Sequence, residues 1–320
     1  MKTVISTDRV AAVDLLRKSD VVALPTETVY GLAANALNPI AVAKIFEAKK
    51  RPRFDPLIVH LANREWLRRI AEFPPGDRQL ILKLADKFWP GPFTMVLPKR
   101  KMIPDIVTAG LDTVAVRISA HRVFAEIVGE LNEPLAAPSA NRFGRVSPTT
   151  AQHVLDELKG RIPLIIDAGG TEHGLESTII TVQEGRIRIL RRGPITAGQL
   201  SEFANVDTVA STPKISSPGQ LPSHYAPKTP LELIDTGENY FPQRHGRVGL
   251  LAWRPIKSFQ RFAAVRQLSQ EQDPREAAAN LFRYLRELDA RGLDLIVAER
   301  VPSRGLGAAI MDRLERAAHR

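Results

Sequence analysis

Five prolines fall within the twenty residues from Ser211 to Pro230, in a stretch with neither the alternation of a strand nor the 3.6-residue repeat of a helix. Proline fixes φ and offers no backbone N–H, so such residues make a stiff connector and cannot complete a sheet ladder or a helical turn. The chain must therefore bury two separate cores. Residues 1–204 form one expected domain, residues 205–230 a Pro-rich linker and residues 231–320 a smaller second domain. No internal repeat relates the two parts.

On the N-terminal side, Thr7-Asp8 ahead of Val10, Val13, Leu15 and Leu16 predicts a capped helix, and residues 21–24 predict a buried strand stopped by Pro25. Asn38-Pro39 supplies a cap and a first-turn proline for a second helix running through Ile45 toward Lys49. Short apolar runs at 56–61, 93–97, 114–119, 135–137, 164–166, 178–182 and 187–190 read as strands, with Gln183-Glu184-Gly185 as a hairpin turn. Helical segments near 78–88, 121–131 and 149–158 separate several of them. The fold class is therefore α/β with a mixed sheet, neither a strict barrel nor a simple doubly wound domain. After the linker, strands at 231–234, 247–253 and 293–298, a helix from Asp273-Pro274 to Leu288 and a final helix from about Gly307 predict a compact Rossmann-like β-α-β series.

The chain has 320 residues, 45 Lys and Arg against 35 Asp and Glu, and no Cys. The absent cysteine excludes disulfides, thiolate nucleophiles, iron–sulfur clusters and Cys-ligated zinc. No apolar run approaches the ~18 residues of a membrane span, and Asp8 and Asp14 interrupt the N-terminal region where a signal peptide needs unbroken apolar sequence. A cytoplasmic protein without a membrane partner is expected. The net charge of +10 points to anionic partners. It is spread along the chain, +6 over 1–204, +1 over 205–230 and +3 over 231–320, which weakens a polybasic-tail reading.

No Gly-x-x-x-x-Gly-Lys-Ser/Thr occurs, so a P-loop is not the phosphate site. Gly305-Leu-Gly-Ala-Ala-Ile310 follows a predicted strand and opens a helix, but isoleucine stands where a dinucleotide fingerprint has its third glycine, and close strand–helix packing is the favoured reading. The densest polar cluster is Lys49-Lys-Arg51-Pro-Arg-Phe-Asp55-Pro-Leu-Ile-Val-His60. Its cations read either as a solvated helix end or, because Pro52 and Pro56 stiffen the loop, as a rigid phosphate-binding pair. Pro25-Thr-Glu-Thr-Val-Tyr-Gly31 gathers three hydroxyls around one carboxylate, and Pro138-Ser-Ala-Asn141 lies beyond a strand, where α/β sheets place ligands. Arg117 sits inside the strand Val-Ala-Val-Arg-Ile, where a charged side chain needs an anion.

Read together, these segments resemble the threonylcarbamoyl-AMP synthase family, whose catalytic part is the YrdC-like domain. The matching stretches are Pro-Thr-Glu-Thr-Val-Tyr-Gly-Leu (25–32), Lys-x-Arg-Pro with Pro-Leu-Ile-Val-His (49–60), Phe-Trp-Pro-Gly-Pro-Phe-Thr (88–94) and Val-Ala-Val-Arg (114–117). Further along they are Ala-Pro-Ser-Ala-Asn (137–141), Gly-x-x-Ser-Pro-Thr (144–149), Gly-x-Glu-Ser-Thr-Ile (174–179) and Leu-Arg-x-Gly (190–193). His224-Tyr-Ala-Pro227 and the terminal Gly-Leu-Gly-Ala-Ala-Ile are similar to the two-domain form of the family.

The resemblance implies that L-threonine, bicarbonate or CO2, and ATP give L-threonylcarbamoyl-AMP and pyrophosphate. The product would serve threonylcarbamoyladenosine formation beside the tRNA anticodon through a downstream threonylcarbamoyl transferase complex, with Mg2+ accompanying ATP. Carried over position by position, the pattern puts threonine near Thr28, His60, Arg117, Ala137 and Ser177, and ATP against Arg51, Asp55, Thr113, Ser139, Ser147, Arg191 and the linker's Tyr225. Lys49, Arg51, Ser139 and Asn141 match the family's catalytic Lys-x-Arg and Ser-x-Asn elements. No metal ligand is assigned. Two departures stand out: Asp55 occupies a position usually held by Asn, and Arg192 replaces the usual Pro after Arg191. The competing reading from another class is an RNA-binding protein that uses a basic concave surface; it lacks an aromatic-rich RNA motif, since only 6 % of the chain is aromatic.

Overall fold

Caps and apolar stripes put the first helices where the sequence predicts them. In the computed structural model, which describes residues 1–208, 224–241, 246–255 and 260–319, Asp8 accepts from Ala11 N at 3.0 Å to start α1 (Arg9–Arg17), and Asn38 accepts from Ile40 N at 2.9 Å ahead of Pro39 to start α2 (Pro39–Lys49). The remaining helices of this part are α3 (Arg64–Ile70), α4 (Arg78–Phe88), α5 (Asp105–Thr108), α6 (Arg122–Leu131), α7 (Ala151–Leu158) and α8 (Ala197–Ser201).

The strands are β1 (Val4–Ser6), β2 (Val22–Leu24), β3 (Gly31–Asn35), β4 (Ile58–His60), β5 (Phe93–Pro98), β6 (Thr113–Arg117), β7 (Leu135–Ala136), β8 (Leu164–Ile166), β9 (Thr178–Gln183), β10 (Arg186–Arg191) and β11 (Val206–Thr208). They form one eleven-stranded mixed sheet in the order β1-β8-β2-β3-β7-β4-β6-β5-β9-β10-β11. Parallel pairs such as β4–β6 and β5–β9 alternate with antiparallel ones such as β3–β7 and β5–β6. The predicted hairpin joins β9 to β10, with Glu184 (φ 54°) and Gly185 (φ 70°) as its two turn residues.

Alternation along the strands builds a core on each face of this sheet. Ala23, Leu32, Ala34 and Ile165 join the cluster with Val42, Ile45, Val59 and Val116, whereas Val22, Leu24, Ala33, Leu164 and Ile166 join the one with Leu16, Phe124 and Val128. Strand β3 was not predicted: its Gly-Leu-Ala-Ala-Asn sequence has no β-branched residue, and pairing to β2 and β7 makes it a strand. Arg117 is the last residue of β6 rather than an internal one.

The chain packs as two units. The first contains Met1–Phe143, Pro148–Thr171 and the described residues of Glu176–Gln220; the second contains Gly144–Ser147, Glu172–Leu175 and the described residues of Leu221–Arg320. Most of the Pro-rich stretch, residues 209–223, lies outside the described residues.

In the second unit, β12 (Leu231–Ile234), β13 (Val248–Ala252), β14 (Ala264–Gln267) and β15 (Leu295–Glu299) make a parallel sheet in the order β12-β15-β13-β14. Helices α9 (Pro274–Asp289), capped by Asp273, and α10 (Gly307–Ala318) accompany it. Glu299, buried at the end of β15, accepts from Gly237 N, Trp253 N and Arg254 N at 2.6, 2.8 and 2.7 Å, fastening two loops to the central strands. A Cβ at Gly307 would lie 2.1 Å from Pro302 O, so this glycine serves tight packing of the turn into α10, in line with the packing reading of the incomplete glycine motif. Tyr225 is buried in this unit on the Phe282 ring, centroids 5.5 Å apart, with the Arg313 guanidinium 5.0 Å over its face. Ala226 N donates to Gly144 O at 2.9 Å, and Arg286 donates to the carbonyls of Val146 and Ser147. Among the described residues, no helix is long and apolar enough to cross a membrane.

Candidate active site

The parallel register of β4 and β6 sets His60 beside Arg117 at the ends of two adjacent strands. Arg117 is 3 % exposed, and its guanidinium is fixed on three sides: Nε donates to Gly91 O at 3.1 Å, Nη1 donates to Thr28 Oγ1 at 3.0 Å, and Nη2 lies 2.8 Å from Glu27 Oε1. Nη2 is buried without an aligned hydrogen bond. Glu27 accepts further from Ser119 Oγ and, at 3.1 Å, from Ala120 N. Burial alone would raise its pKa, but Arg117 and these donors outweigh burial and hold the carboxyl at about 2. His60 packs against Phe124 with the rings tilted by 46° and their centroids 4.9 Å apart, and its Nδ1 has no hydrogen-bond partner among the described residues. Burial, followed by the charge of Arg117, pushes the imidazole down to about 3, so it is neutral at physiological pH.

A second group of cations surrounds Asp55. Lys49, the last residue of α2, is buried rather than solvated, which overturns the helix-end reading; its Nζ donates to the carbonyls of Ser139 and Asn141. Arg51 donates from Nε to Asp55 O at 3.1 Å and from Nη2 to Pro56 O at 2.8 Å, with Asp55 Oδ2 also 2.8 Å from Nη2. Burial raises the Asp55 carboxyl above its usual range against the opposing pull of Arg51, Lys49 and Arg191. Burial, and then the like charge of Arg51, lowers Lys49 well below the usual lysine range. Arg191, at the end of β10, donates from Nε to Ser177 O at 3.1 Å and from Nη2 to Ser177 Oγ at 3.0 Å, and Ser177 Oγ meets Thr94 Oγ1 at 2.8 Å. A Cβ at Gly193 would fall 2.5 Å from Thr178 N and 2.6 Å from Glu176 O, so only glycine lets the end of this hairpin press on the 176–178 loop.

Two segments run from one group to the other. Residues 55–60 carry Asp55 at one end and His60 at the other, and residues 137–141 carry Ala137 and the Ser139–Asn141 loop. They are joined where Ala137 N donates to Ile58 O at 3.0 Å. Thr28, Lys49, Arg51, Asp55, His60, Arg117, Ala137, Ser139, Asn141, Ser177 and Arg191 all lie in the first unit. Thr113 stands at the opposite end of β6 from Arg117, four residues or about 13 Å away along the strand. Ser147 and Tyr225 belong to the second unit. Sequence reasoning passed over Glu27, Ser119 and Thr94 as individual site residues. The available signal for Glu27 was an acid in a motif that follows a buried strand, which must find a cation once buried.

Residues 14–193 match the Sua5, YciO and YrdC family model, described as telomere recombination, and residues 195–319 match the model described as the threonylcarbamoyl-AMP synthase C-terminal domain. The threonylcarbamoyl-AMP synthase of Pyrococcus abyssi is 38 % identical over 97 % of this chain and 93 % of its own length. The chain belongs to the threonylcarbamoyl-AMP synthase family. The family member from Bacillus subtilis is 40 % identical, covering 96 % of this chain and 92 % of its own, and that from Schizosaccharomyces pombe is 35 % identical. A crystal structure of Pyrococcus abyssi Sua5 complexed with L-threonine superposes with a TM-score of 0.87 at 36 % identity, covering 99 % of this chain and 97 % of that one. The two-domain form of the threonylcarbamoyl-AMP synthase family, a YrdC-like domain followed by a smaller α/β domain, is therefore the architecture of this protein.

Proposed function

We propose that the candidate site of the first unit makes L-threonylcarbamoyl-AMP and pyrophosphate from L-threonine, bicarbonate or CO2, and ATP. Family membership supports the activity, and the L-threonine bound in the Pyrococcus abyssi relative supports the amino-acid substrate. The observation that carries the reading is the arrangement of charge. One buried arginine beside His60, and three basic side chains gathered around buried Asp55, are connected through residues 55–60.

The threonine amine forms an N–C bond to CO2 and loses a proton. An oxygen of the resulting N-carboxylate then attacks the α-phosphorus of ATP, the bond to the bridging oxygen of the β-phosphate breaks, and pyrophosphate leaves with those electrons. When bicarbonate is the carbon source, one water is the further product. No protein nucleophile is needed, so the side chains act by holding anions together and stabilising charge on the phosphates. Arg117 receives the threonine carboxylate, with Thr28, neutral His60, Ala137 and Ser177 around the amino acid. Arg51, Arg191, Ser139, Asp55 and Thr113 face the nucleotide. Lys49 acts through the Ser139–Asn141 loop that its ammonium holds.

Mg2+ comes with the triphosphate as part of the substrate. Among the described residues no group of three or more His, Cys, Asp or Glu is placed to hold a metal by itself. The product is a mixed anhydride whose carbamoyl carbon is open to an amine. Its consumer is a downstream transferase that delivers the group to adenosine beside the tRNA anticodon, and the cytoplasm is the setting that fits. The test is pyrophosphate release in the presence of ATP, Mg2+, bicarbonate and L-threonine: release must depend on threonine, and Arg117→Ala must raise the threonine KM far more than the ATP KM. Threonine-independent release, or none, sinks the proposal.

A further inference from the structure

Resting on the threonine reading above, we propose that Glu27 is the positioning residue of the carboxylate subsite, holding the Arg117 guanidinium so that its unengaged N–H groups face an incoming carboxylate. A guanidinium has five N–H donors. Here Nε is committed to Gly91 O and one Nη1 donor to Thr28 Oγ1, while Nη2 has an ion pair but no aligned hydrogen bond although it is buried. Three of the five N–H groups are thus taken up by Gly91 O, Thr28 Oγ1 and the Glu27 carboxylate, and the two that remain are open to an acceptor supplied by a ligand. A carboxylate presents two oxygens, which is what the remaining N–H groups of Nη1 and Nη2 can take together.

Glu27 is suited to fix that fork because it cannot itself turn away. Oε2 accepts from Ser119 Oγ and Oε1 accepts from Ala120 N, both on the chain just after β6, so the strand that carries Arg117 also carries the groups that anchor its counter-ion. Glu27 and Thr28 are sequence neighbours and hold Arg117 through Nη2 and Nη1 respectively. The acid therefore does more than neutralise a buried charge; it sets the plane in which the charge is offered.

The test compares L-threonine with L-threoninamide, which keeps the amine and the hydroxyl but lacks the carboxylate, by titration calorimetry on the full-length protein. Wild-type protein is expected to prefer threonine, and absence of any threonine binding overturns the threonine reading itself. Glu27→Gln is expected to cut the preference roughly ten- to hundred-fold, the range seen when a partner that orients a ligating group is removed, with threoninamide affinity nearly unchanged. Ser119→Ala, which loosens Glu27 without removing its charge, is expected to shift the preference in the same direction by less. An unchanged preference in Glu27→Gln, or equal loss for both ligands in both variants, overturns the role of Glu27 while leaving the threonine reading intact.

Discussion

Replacing His60 with Gln should flatten the acid limb of the stability curve. His60 is 2 % exposed, and burial followed by the Arg117 charge holds it down at about 3, against 6.5 for an unperturbed imidazole. Above pH 6.5 both folded and unfolded chains carry a neutral ring, and stability is complete. Below 6.5 the unfolded chain takes up a proton that the folded chain refuses, so stability falls by about 1.4 kcal/mol per pH unit until about pH 3. Between pH 6.5 and 4.5 the loss amounts to roughly 2.5 kcal/mol. Glu27, held at about 2 instead of 4.5, contributes fully above pH 4.5 and loses its contribution only below that, so the window from 4.5 to 6.5 is free of it. The raised carboxyl of Asp55 acts in the opposite direction but is common to both proteins and cancels in the difference. The assay is urea unfolding in a Trp253→Phe background, which leaves Trp66 and Trp89 of the first unit as reporters. The advantage of wild type over His60→Gln should shrink by roughly 2.5 kcal/mol from pH 6.5 to 4.5. A difference that stays constant across that window refutes the reasoning.

Lys49→Met removes the ammonium that binds the carbonyls of Ser139 and Asn141 and should lower kcat by about 10- to 100-fold in the pyrophosphate assay; turnover near wild type would show that the loop holds itself. Asp55→Asn withdraws a negative charge from among Arg51, Lys49 and Arg191, and the ATP KM should fall several-fold, more at low salt than at high; an unchanged or raised KM counts against the acid facing the triphosphate. Glu299→Ala strips the shared acceptor from three backbone N–H groups and should destabilise the second unit by about 3 kcal/mol or more, read from the urea midpoint of Trp253 fluorescence; an unmoved midpoint would show that water replaces the carboxylate.

The elements with strong local signals were legible in the sequence. The helix at 78–88 and the strand at 164–166 have the predicted limits, because an amphipathic stripe and a bounded β-branched run each define their own ends. β3 escaped because small residues become a strand only through their partners, and β1 and β14 because, unlike β8, they are short and not buried, so no bounded apolar run marks them. In the candidate site, the motifs singled out Arg117, His60, Lys49 and Arg51, all of which are buried. What they could not show is which cation is held by what. The burial of Lys49 against two carbonyls and the grip of Glu27 on Arg117 arise from segments about 90 positions apart, a distance over which local pattern carries no information. The Tyr225 position in the Pro-rich region was readable as a motif but not as a side chain packed on Phe282.

The outer strand β1 has a consequence for how this protein is made. Val4 pairs with Leu164, and Thr3 Oγ1 donates to Ile162 O across 159 positions of chain. At a translation rate of about 5–20 residues per second, β1 leaves the ribosome roughly 8–30 s before its partner β8 has been synthesised. β2, which also borders β8, keeps one edge open through the same interval. The strands β4, β6 and β7, which include His60 and Arg117, are all synthesised in that time, so the nascent protein must carry an open sheet edge while the centre of its first unit is already available to fold.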